Sequence, residues 1–96
     1  MASIRNLKKD IDYLVFEVVS DSFTYAGLYP GKHTEELSDI VEEAVELRND
    51  LIKRVNNPEG DGTPAAMKSN LQSVRKDLFT GVDKLFGRLS SVTKEK

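Results

Sequence analysis

The chain has 96 residues, 39% of them hydrophobic, and 14 Lys and Arg oppose 16 Asp and Glu for a net charge of −2. That length suits one domain, and folding would hide roughly 65% of the extended chain's surface, enough for one modest core. There is no cysteine and a single histidine, which excludes a disulfide framework, a thiolate nucleophile, cysteine-ligated zinc and a multi-histidine metal centre within one chain.

The start of the chain, Met1-Ala2-Ser3-Ile4-Arg5, leads into Lys8, Lys9 and Asp10 with no apolar stretch, unlike a secretory signal. Residue 2 is alanine, whereas N-myristoylation needs glycine there. The densest apolar run, Tyr13 to Val19, is interrupted by Glu17 and falls far short of the roughly 20 residues that span a bilayer. A cytoplasmic protein without a membrane partner is the expectation.

The first block repeats apolar residues at Ile4, Leu7, Ile11, Leu14 and Val18, a helical spacing that predicts a helix over about 3–26 with Ser3 as its cap. Tyr29-Pro30-Gly31-Lys32 then fits a type II turn, with proline presetting φ at the second position and glycine accepting positive φ at the third. In the second block Leu37, Ile40, Val41, Ala44, Leu47, Leu51 and Val55 predict a helix over about 34–56, capped by Thr34 with Glu35 and Glu36 in its first turn.

A second turn-rich stretch, Asn56 to Gly62, contains Pro58, Gly60 and Gly62 and ends that helix. Thr63 and Pro64 read as the cap and first residue of a third helix over about 63–92. Its stripe is Met67, Leu71, Val74, Leu78, Val82, Leu85, Leu89 and Val92. The third block is read as continuous through Gly81, where the missing side chain lets a neighbouring helix approach, while Gly87 faces solvent. Three striped helices joined by short loops give an all-α fold, an antiparallel up-down-up three-helix bundle in a single domain, 1–96.

Charge agrees with that packing. Over 34–56 seven acidic residues oppose three basic ones, a net −4, and over 63–96 seven basic oppose three acidic, a net +4. Exposed pairs between such helices contribute only about 0–1 kcal/mol each, so burial of the stripes does most of the stabilising.

Motifs able to carry chemistry are sparse. Asn57-x-Glu59-x-Asp61-Gly62 has the opening of a calcium loop, but the twelfth position, where a bidentate carboxylate belongs, is Lys68. His33 lacks the partner spacing of a metal or catalytic histidine. Glu17 with Asp21, and Glu42 with Glu46, project to the edge or outside of their stripes and read as solvated ridges. The basic residues of the third helix surround it rather than forming a phosphate track. With neither a nucleophile-and-base pair nor a metal-ligand spacing, no enzymatic activity and no cofactor is expected.

Two features stand out. Arg48 projects near the middle of the second helix's apolar face, where it must snorkel, pair with a carboxylate or hold an anion; Asp12 lies at its height, making Arg48–Asp12 a candidate buried ion pair. The aromatic residues are the second. Phe16 and Phe23, flanked by Val19, share a direction turned away from the seam of the first helix, while Phe79 and Phe86 widen the third stripe. Either the core wraps further round the first helix, or these five residues form an apolar patch for a partner.

The stretches Ser3 to Ile11, Phe23-Thr24-Tyr25 with Pro30-Gly31, and Glu46 to Leu51 with Arg54 to Pro58 resemble an uncharacterised family of short all-helical proteins from Bacteroidetes bacteria. The resemblance covers most of the chain and implies a bacterial cytoplasmic protein; it carries over no activity and no site residue. The leading expectation is an interaction module that forms a homodimer or docks a protein partner through the first helix and its aromatic flank. A small-ligand or regulatory bundle using Arg48, or a nucleic-acid-associated protein using the basic third helix, is the alternative.

Overall fold

A computed structural model describes residues 4–57 and 62–94 as α1 (Ile4–Leu28), α2 (Thr34–Asn56) and α3 (Pro64–Lys94). All three helix pairs are in contact, and the molecule measures 50 × 18 × 17 Å. This is the all-α three-helix bundle that the stripes predict.

The core runs through all three helices. Leu7, Ile11, Val15 and Val18 of α1 meet Leu37, Ile40, Ala44, Leu51 and Val55 of α2, and Val74, Leu78, Val82, Leu85, Leu89 and Val92 of α3. Two polar side chains are drawn in. The buried Ser22 hydroxyl donates to the Val18 carbonyl at 2.8 Å, a bond to the preceding turn that satisfies it. The Tyr25 hydroxyl is also buried, and it has no hydrogen-bond partner among the described residues.

The third stripe starts later than its sequence suggests. Met67 is exposed and Leu71 half-buried, and Val74 is the first buried residue of α3. The helix is 31 residues long against 25 for α1, so its first turns overhang the bundle. It is unbroken at Gly81, where an added Cβ would lie 2.7 Å from Leu47 Cδ2. The Leu47 side chain of α2 packs directly against this glycine, while Gly87 faces open space.

The connections follow turn chemistry, with one correction. The Lys32 N–H donates to the Tyr29 carbonyl at 3.1 Å and Gly31 has φ +82, as a type II turn requires. At α3, the Ala66 N–H donates to Thr63 Oγ1 at 3.2 Å, the expected cap. Thr34, however, does not cap α2: it is already helical, and His33 occupies the cap position in the left-handed region (φ 52, ψ 33) with no side-chain cap bond. A capping side chain must leave a non-helical backbone to reach back over the first turn, and Thr34 has lost that freedom. The expected Ser3 cap lies outside the described residues, as do Pro58 to Asp61 of the calcium-like segment.

Candidate functional site

Phe16 and Phe23 are seven residues apart on α1, two turns along one face. They remain 67% and 64% exposed. The core does wrap further round α1 than the simple seam, because Val15 is buried and Val19 half-buried, but it stops short of both rings. On the α2 side, Val45 is 45% exposed and Val41 half-buried. One groove between α1 and α2 is lined by Asp12, Tyr13, Val15, Phe16, Val19 and Arg48. A second, nearer the first loop, includes Phe23, Ala26, Leu37 and Val41. Together they form an apolar face running along the α1–α2 seam.

Arg48 and Asp12 line the first of these grooves and do pair, with Arg48 Nε 2.9 Å from Asp12 Oδ1. The pair is not buried: the two side chains are 43% and 55% exposed. The guanidinium stays within reach of water, and Nη1 donates to Asn49 Oδ1 at 3.2 Å. An exposed, already neutralised guanidinium in an open groove has little to offer a small anion.

The five aromatic-flank residues divide into two groups. Phe16, Val19 and Phe23 share the α1–α2 face, whereas Phe79 and Phe86 line a groove between α1 and α3 with Leu14, Thr80, Val82 and Asp83. Phe79 is 57% exposed there, and Phe86 is half-buried against the core. The ridge between these grooves carries Tyr13, whose hydroxyl hydrogen-bonds the Glu17 carboxylate; that bond first, and the carboxylate charge second, hold the phenol above its ordinary pKa.

Summing charge helix by helix hides a larger asymmetry. Arg54 of α2 pairs with Asp77 of α3 at 2.7 Å, and Arg88 of α3 pairs with Glu43 of α2, so the contacts run in both senses. The halves of the bundle differ slightly more than the helices do. Below the level where Leu47 meets Gly81, the start of α1 supplies Arg5, Lys8 and Lys9, and the end of α2 supplies Arg48, Lys53 and Arg54. The start of α3 adds Lys68, Arg75 and Lys76. Only Asp10, Asp12, Asp50 and Asp77 oppose these nine, an excess of five positive charges among the described residues. Above that level four basic residues, Lys32, Lys84, Arg88 and Lys94, face nine acidic ones, six of them on α2 between Glu35 and Glu46. The excess there is five negative charges. The signal was available in the sequence: an up-down-up topology collects half-helices, so charges must be added by half-helix.

At the acidic end, His33 Nδ1 lies 3.4 Å from Glu36 Oε2, and the Tyr25 ring lies tilted beside those of Tyr29 and His33 at centroid distances of 4.9 and 6.5 Å. Glu17, Asp21, Glu42 and Glu46 are all exposed, as solvated ridges should be. No group of three or more histidine, aspartate or glutamate side chains able to hold a metal occurs among the described residues. No helix among them is long and apolar enough to cross a membrane. Compared with protein-family models, curated proteins and solved structures, the chain matches none significantly.

Proposed function

We propose that the protein is a non-enzymatic interaction module of the bacterial cytoplasm, working through the aromatic face of α1 and α2. The observation that carries this reading is the exposure of Phe16 and Phe23, two turns apart on one face of α1. A large apolar ring costs free energy in water, and a group of them framed by polar residues marks a surface that another protein covers. Self-association is the simplest use of such a face, because a two-fold axis lets one patch serve as both partners.

Size-exclusion chromatography with light scattering tests it. The expected result is a dimer at micromolar concentration that becomes monomeric in Phe16→Glu, with helical circular dichroism unchanged. A monomeric parent chain overturns self-association.

A further inference from the structure

Resting on that reading, we propose that the occupant of the α1–α2 face is a second copy lying antiparallel, with the basic half of each molecule over the acidic half of the other.

The argument begins with where charge and apolar surface lie. The rings at 16 and 23 are on the long side of a 50 Å rod, so the contact is lateral rather than end to end. The rod carries an excess of five positive charges in one half and five negative in the other among the described residues. Side by side and parallel, two such rods would set like halves together; antiparallel, they set opposite halves together. Along the rod, Arg5, Lys8 and Lys9 stand near the start of α1, and Glu35 and Glu36 stand in the first turn of α2 at the opposite end.

The apolar contacts fit the same operator. Phe16 and Phe23 lie about 10 Å apart along α1, and a two-fold axis passing between them brings Phe16 of one copy against Phe23 of the other. The face follows α1 for about 37 Å at 1.5 Å per residue. A nucleic-acid duplex fits the face poorly, because it would have to lie along the acidic half as well as the basic one. In this assembly the rings supply affinity and the charges supply orientation, which makes the pairing sensitive to salt.

The chain has no cysteine, so single spin labels can be placed cleanly by Ser20→Cys and Lys9→Cys. Pulsed dipolar spectroscopy on each labelled dimer should give a short distance at position 20, near the axis, and roughly 30 Å or more at position 9. Raising sodium chloride from 50 to 500 mM should weaken the dimer at least tenfold. Lys8→Glu with Lys9→Glu should weaken it too. Short distances at both positions would overturn the antiparallel arrangement while leaving self-association intact. A salt-independent dimer would remove the role of charge. A chain that stays monomeric would sink this proposal together with the reading beneath it, and a monomer that binds DNA or RNA in a salt-dependent way would assign the basic half to nucleic acid instead.

Discussion

Helix α1 carries two apolar rows with opposite fates. Leu7, Ile11, Val15 and Val18 are sealed against α2 and α3, whereas Phe16 and Phe23, about a third of a turn or more away, keep roughly two thirds of their surface in water. The residues of both rows are strongly hydrophobic, so hydrophobicity alone does not decide which row is core. What decides is neighbour count: two companion helices can cover only part of a cylinder, and a further apolar arc has nothing left among the described residues to meet it. The contrast separates the part of the sequence that stabilises the fold from the part that is free to serve another molecule.

The largest test of that separation is a pair of truncations. Ile11→Ala should lower unfolding free energy by about 2–5 kcal/mol, the cost of a buried cavity. Phe16→Ala should change it by no more than about 0.5 kcal/mol in the monomer. Urea denaturation at low protein concentration measures both, and equal losses would erase the distinction. A smaller effect of opposite sign is expected at Tyr25. Its ring belongs to the sealed row, but its hydroxyl is enclosed without a partner among the described residues, so Tyr25→Phe should stabilise by about 1 kcal/mol, read as a higher urea midpoint at unchanged slope. The smallest effect belongs to the open face: Arg48→Met breaks an exposed pair and should shift stability by less than about 1 kcal/mol.

The helices were legible because their evidence is local. Stripes at three- and four-residue spacing, Thr63 with Pro64, and Pro30 with Gly31 all act through neighbours in sequence. The close approach at Gly81 was legible for a similar reason, since a missing Cβ beside a stripe has few uses. Less was legible where the answer depended on how helices sit together. Thr34 has the chemistry of a cap, but the path of the preceding loop puts His33 in the left-handed region and passes the cap position to it. Arg48 was correctly matched to Asp12, yet its burial could not be read from a helical wheel, which shows direction and not the distance from the centre of the core to the rim. The direction of the aromatic residues away from the seam could be read from their spacing, while their division between two grooves needed the order of helices around the bundle.

The overhanging start of α3 has a consequence for how the molecule comes apart. Backbone hydrogen bonds from Pro64 to about Asn70 are backed by no buried apolar side chain, so their amides should exchange with solvent by local fraying, long before those around Leu78 and Val82, which open only when the whole bundle does.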